Sequence, residues 1–189
     1  IDRSEYVKKG GTEFHHYKIG KNNVYLEDGA SKENIDKINN TLNLIPEDHK
    51  LRTFKTRPDG TTAKAKQFDF YFFKNRAYDM RDGQGNIFDA VIDVFDIEET
   101  KLHQIDDILL HELGHNVNFK YMSNDDFLIS GFKDSLIKDK VNVSAYGAQT
   151  RPEEAFCDAY SKYFRTKKVT AEDGSDMLNI TAWFREFFK

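Results

Sequence analysis

The stretch His111-Glu112-Leu113-Gly114-His115 constrains this chain more than any other. Two histidines four positions apart on an α-helix project from the same face, one turn apart. On such a face both imidazoles reach one Zn²⁺, and the glutamate beside the first histidine is placed to take a proton from a water on that ion. The surrounding sequence agrees with a helix over Ile105 to Tyr121, with Ile108, Leu109, Leu110, Leu113 and Val117 as core positions. Gly114 costs such a helix about 1 kcal/mol relative to alanine, a cost that a close approach by another backbone would explain.

Two imidazoles are not a complete set. A catalytic zinc takes three protein ligands and keeps one position for water. The other histidines, His15, His16, His49 and His103, all precede the motif. None completes the longer H-E-x-x-H-x-x-G-x-x-H pattern, since positions 118 and 121 are Asn and Tyr. Downstream stands Arg151-Pro152-Glu153-Glu154-Ala155-Phe156-Cys157-Asp158-Ala159-Tyr160. Pro152 suits a first helical turn, and Glu154 and Asp158 then lie four apart on one face. One carboxylate can bind the ion while the other accepts the Nδ1–H of a ligating histidine and fixes its tautomer. Glu154 is favoured as the ligand because only it has Asp158 at i+4. Glu153 is the alternative, and otherwise faces substrate or solvent. Cys157 reads as a small buried hydrophobe and not as a ligand.

The rest of the chain reads as strands and helices first, then helices alone. The first dozen residues are polar and expected to be loosely held. Phe14 to Leu26 reads as two strands about a Gly20-Lys21-Asn22-Asn23 turn. Ser31 is the expected cap of a helix carrying Ile35, Ile38, Leu42 and Ile45, with Pro46 as its stop. Leu51 to Thr56 and Phe68 to Phe73 read as strands, with a Pro58-Asp59-Gly60 turn after the first and a glycine-containing loop over Arg81 to Asn86 after the second. Ile87 to Phe95 alternates apolar and polar residues, which predicts a further strand at the sheet edge. Asp125 to Lys138, Glu153 to Lys167 and Met177 to Phe188 are the later helices. The expected fold class is α+β, as a single domain over 1–189 with a sheet lobe (1–118) ending in the motif helix, a helical lobe (119–189) and a cleft between them. Sixteen Phe and nine Tyr point to a core built on rings, so the aromatic clusters at 70–73, 160–164 and 183–188 are read as packing.

At these residues the chain resembles the gluzincins, and more narrowly the anthrax lethal factor-like catalytic domains and the small secreted Pro-Pro endopeptidases. The likeness is carried by His111 to His115, by the helix start Pro152-Glu153-Glu154 and by the aromatic continuation Ala155 to Tyr163. It implies a zincin-like fold and a zinc-dependent metalloendopeptidase with one catalytic ion, held by His111, His115 and Glu154. It further implies Glu112 as general base, Asp158 behind the ligands, and an oxyanion donor in the loop before the glutamate helix. Tyr146 is the candidate for that donor, although it stands eight residues before Glu154 where the family spacing is seven. The resemblance also places an extended substrate beside the edge strand, at Phe88, Ala90 and Ile92. The sole tryptophan, Trp183, lies in the last helix, so Pro-Pro specificity is not carried over.

A net charge of −4 with no basic stripe argues against a nucleic-acid partner. No apolar run approaches the ~18 residues of a membrane span. The single cysteine excludes an internal disulfide. The expected partner is a protein or peptide substrate, the expected state a monomer, and the resemblance favours a secreted, toxin-related bacterial enzyme over a cytoplasmic one. The competing readings are an intracellular or phage-linked zincin that processes one partner, and a non-catalytic binding module stabilised by zinc.

Overall fold

A computed structural model describes residues 2–53, 59–62, 64–75, 77, 79–98, 104–123 and 127–189, with residues 2–8 described by backbone alone. The protein is α+β. In chain order its elements are β1 (Asp2–Lys9), β2 (Thr12–Ile19), β3 (Asn22–Glu27), α1 (Glu33–Leu42), β4 (Leu51–Arg52), β5 (Lys66–Gln67), β6 (Asp69–Phe72), β7 (Gly83–Asn86), β8 (Val91–Val94), α2 (Ile105–Tyr121), α3 (Phe132–Asp139), α4 (Pro152–Thr166) and α5 (Leu178–Phe187). They form two compact units, Ile1–Glu112 and Leu113–Lys189, with the division falling inside α2. Among the described residues no helix is long and apolar enough to cross a membrane.

The first unit is built on a mixed sheet of order β1-β2-β3-β6-β8-β7. The β3–β6 and β6–β8 pairs are parallel and the other pairs antiparallel. Side chains alternate between the two faces. One face carries Val24, Phe70 and Ile92 in register, and beside them Leu26, Phe72 and Val94, all buried. The same two rows end on Gly85 and Gly83 of β7. The opposite face carries His16, Tyr25, Tyr71 and Asp93 in one row. There the His16 and Tyr25 rings stack, as do those of Tyr25 and Tyr71, while Lys9 lies over the Tyr71 ring at 4.1 Å and pairs with Asp93 at 2.7 Å. Buried Lys50 donates to the Leu42 carbonyl at the end of α1 and to Glu47, so a cation meets the negative end of that helix.

Four expectations are corrected here. The N-terminal residues form a strand, because β2 offers them a full antiparallel partner. Arg81 to Asn86 is no loop: four of its residues make β7, the last strand of the sheet. The strand expected over Ile87 to Phe95 is shorter, starting at Val91 after an Ile87–Ala90 turn, and it is interior, flanked by β6 and β7. The helix expected from Asp125 starts at Phe132. Gly131 has φ +86°, and Phe127 has φ +61°, which breaks the helical path between them. At the start of α1 the Ser31 hydroxyl accepts the Glu33 N–H at 3.4 Å, one residue before the helical Lys32, in keeping with the cap expected there. Part of the Leu51 to Thr56 strand and Pro58 of the following turn lie outside the described residues.

In the second unit α3, α4 and α5 enclose a cluster of rings. Phe132 meets Phe156 edge-on at 5.2 Å between centroids, and Phe156 stacks on Phe184 at 5.6 Å. All three are fully buried, as is Tyr160, so these rings are core as expected, whereas Phe187 of the last helix is 40% exposed. Asp139, the last residue of α3, accepts the backbone N–H groups of Asn179 (2.9 Å) and Ile180 (2.8 Å). It thereby satisfies orphan donors at the start of α5.

Candidate functional site

The sequence reading of α2 matches its observed bounds, Ile105–Tyr121. Over positions 108–118 this helix is buried at every residue except three, which keep partial exposure: His111, Glu112 and His115. Within this stretch solvent reaches only these three side chains, while Asp106 and Asp107 before it and Phe119, Lys120 and Tyr121 after it are also partly exposed. The ring nitrogens of His111 and His115, one turn apart, lie within 4.8 Å of each other.

The start of α4 supplies the carboxylate. Pro152 occupies its first turn, and Glu153 and Glu154 follow, where acidic groups meet the positive helix end. Glu153 is exposed and Glu154 half-buried. Glu154 Oε2 lies 3.6 Å from His115 Nε2. That is too long for a hydrogen bond and close to the roughly 3.3 Å edge of a tetrahedron of nitrogen and oxygen ligands about Zn²⁺. Imidazole nitrogens with one carboxylate form a donor set that zinc accepts, so the residues fit such an ion in their chemistry, although the donors that lie mutually within 4.8 Å are His111, His115 and Cys157, with Glu154 close to His115.

Cys157, one turn beyond Glu154 on α4, was not anticipated at this place. Its Sγ lies within 4.8 Å of the His115 ring nitrogen. The close approach expected at Gly114 is made to this residue. A methyl group on Gly114 would sit 3.0 Å from Cys157 Cα and 3.3 Å from both its Cβ and its Sγ. The sequence signal was available: Glu154 and Cys157 are three apart, hence neighbours on one helical face.

Glu112 belongs with β7. A methyl group on Gly83 would lie 2.8 Å from Ile108 Cγ2 and 3.1 Å from Glu112 Oε1, and one on Gly85 would lie 3.2 Å from Glu112 Oε2. Alternate glycines on the helix-facing side of β7 therefore let the strand lie directly on the Glu112 carboxylate. This edge replaces the one expected. Ala90 and Ile92 are fully buried, and Phe88 is half-buried in the preceding turn, where its carbonyl accepts a hydrogen bond from Arg52. Burial and an occupied carbonyl keep all three from pairing with an added strand.

Asp158 and Tyr146 meet through a loop. Asp158 Oδ2 accepts a hydrogen bond from the Ser144 hydroxyl, whose oxygen accepts the Gly147 N–H at 2.7 Å. Gly147 packs so tightly on α4 that a methyl group there would fall 2.7 Å from Asp158 Oδ2 and 3.0 Å from Ala155 Cα. Tyr146 projects from this fastened turn, 55% exposed, with the Arg151 guanidinium 5.4 Å from its ring centroid. Sequence reasoning missed Ser144 and Arg151, because neither a lone loop serine nor an arginine ahead of a proline carries a distinctive pattern. Compared with protein-family models, curated proteins and solved structures, the chain matches none.

Proposed function

We propose that this protein is a zinc-dependent metalloendopeptidase that hydrolyses peptide bonds of a protein substrate. The observation that carries the reading is that His111, Glu112 and His115 keep partial exposure within the buried middle of α2, positions 108–118, with Glu154 3.6 Å from His115.

His111, His115 and Glu154 would hold the ion. Zn²⁺ bound there supplies Lewis acidity toward a carbonyl oxygen and lowers the pKa of water toward about 7. Glu112, next to a ligand but directed toward β7, would take the proton of the attacking water at a carboxylate oxygen and later return it to the leaving amine. The Tyr146 hydroxyl, on an exposed loop side chain, would donate to the carbonyl oxygen as negative charge develops there. Asp158 and Ser144 would fix the turn that presents Tyr146. The outer margin of β7, which no other strand pairs with among the described residues, would offer backbone groups to an extended peptide, in the manner of strand addition.

The test is metal content together with cleavage of a peptide library, wild type against Glu112→Ala. The expected result is one zinc per chain in both and a loss of cleavage of at least about 10²-fold in the variant. Equal cleavage by both, or a fully zinc-loaded wild type that cleaves nothing, would overturn the proposal.

A further inference from the structure

We propose that Cys157 is a metal donor, its sulfur binding the ion that His115 and Glu154 hold. The inference rests on the zinc reading above and goes beyond its three ligands. Three observations carry it. Cys157 Sγ lies within 4.8 Å of a His115 ring nitrogen, while Glu154 lies 3.6 Å from the same imidazole. Glu154 and Cys157 are neighbours on one face of α4, and each is close to the His115 imidazole. The residue before His115 is a glycine, and a methyl group there would sit 3.3 Å from Sγ; the missing side chain clears the space beside the sulfur.

Packing alone does not explain a sulfur here. Ala155 and Ala159 hold equally buried positions on the same helix without one. Nitrogen and sulfur ligands of one zinc stand about 3.5 Å apart, so His115 and Cys157 need close by little more than about 1 Å when an ion arrives. Binding breaks the S–H bond, releases the proton to solvent and forms a metal–sulfur bond, with no change of oxidation state. A thiolate beside imidazole and carboxylate shifts the site toward soft ions.

The test loads the full chain with Co²⁺ and records its absorption spectrum, for wild type, Cys157→Ser and Cys157→Ala. A near-ultraviolet thiolate-to-cobalt charge-transfer band is expected in wild type and absent from both variants, while the visible ligand-field bands persist in all three. Stoichiometric Co²⁺ with ligand-field bands and no charge-transfer band in wild type overturns this proposal and leaves the zinc reading standing. Failure of wild type to take up Co²⁺ overturns both. As a second measurement, Cd²⁺ affinity is expected to fall about tenfold or more in Cys157→Ser; unchanged affinity counts against the sulfur donor.

Discussion

Gly114→Ala sets two energies of opposite sign against each other. In a solvent-exposed helix the change is stabilising by about 1 kcal/mol, because alanine loses less backbone entropy. Here the new methyl would meet Cys157 Cα at 3.0 Å and its Cβ and Sγ at 3.3 Å. Carbon atoms pack comfortably at 3.5–4.0 Å, so α4 must retreat by about 0.5 Å at this point. The nearest obstacle is main chain, which cannot rotate aside as the end of a side chain can. Overpacking of this kind costs about 1–3 kcal/mol. The balance is a net destabilisation of about 1 kcal/mol, read as a lower urea midpoint at unchanged slope. Because α4 carries both Glu154 and Cys157, the same retreat lengthens the 3.6 Å His115–Glu154 separation, and zinc affinity should fall with stability. An alanine variant more stable by about the full helix-propensity gain, with metal affinity unchanged, would refute the close approach of α2 and α4.

Gly83→Ala should destabilise by about 1–3 kcal/mol, since its methyl would lie 2.8 Å from Ile108 Cγ2, whereas Gln84→Ala, exposed on the other face of β7, should stay within about 0.5 kcal/mol; thermal melts of the two variants check the contrast. Ser144→Ala removes the hydroxyl that joins Asp158 to the Gly147 amide, so hydrogen exchange at Gly147 should quicken, and equal protection would show the link to be idle. Burial, reinforced by Tyr25, Asp69 and Asp93, pushes the Tyr71 phenol from 10.0 up to about 12. The fold favours the neutral phenol, so this contribution is fully present below pH ~10 and is lost as pH rises toward ~12. Alkaline unfolding over that window should therefore be shallower in Tyr71→Phe, and a phenolate titration should show a late-ionising tyrosine that this variant lacks.

The parts of this protein legible in its sequence are those where local pattern and tertiary need agree. Both α2 and α4 lie where a dense apolar pattern and a proline at the first turn mark them, and spacing along those helices singles out the candidate ligands. What the sequence concealed depends on partners far away in the chain. A polar N-terminal segment becomes a strand only because β2 lies beside it, and Gly83-Gln84-Gly85-Asn86 has no strand propensity of its own. Once that segment takes the sheet margin, β8 is forced inward, which displaces the substrate edge expected at Phe88 to Ile92. Cys157 looked like filler because its neighbourhood depends on how close two helices come. That distance is set by the absent side chain at Gly114.

The outer margin of β7 bears on how the protein keeps company with itself. A sheet border with unpaired amides and carbonyls is a template for a second molecule of the same kind. This one is four residues long, and its sequence holds two glycines, a glutamine and an asparagine. It contains no apolar stripe to glue strangers together, and ordering its glycines is entropically costly. A border so short and so poor in apolar side chains is a weak template for fibre growth or for an apolar dimer.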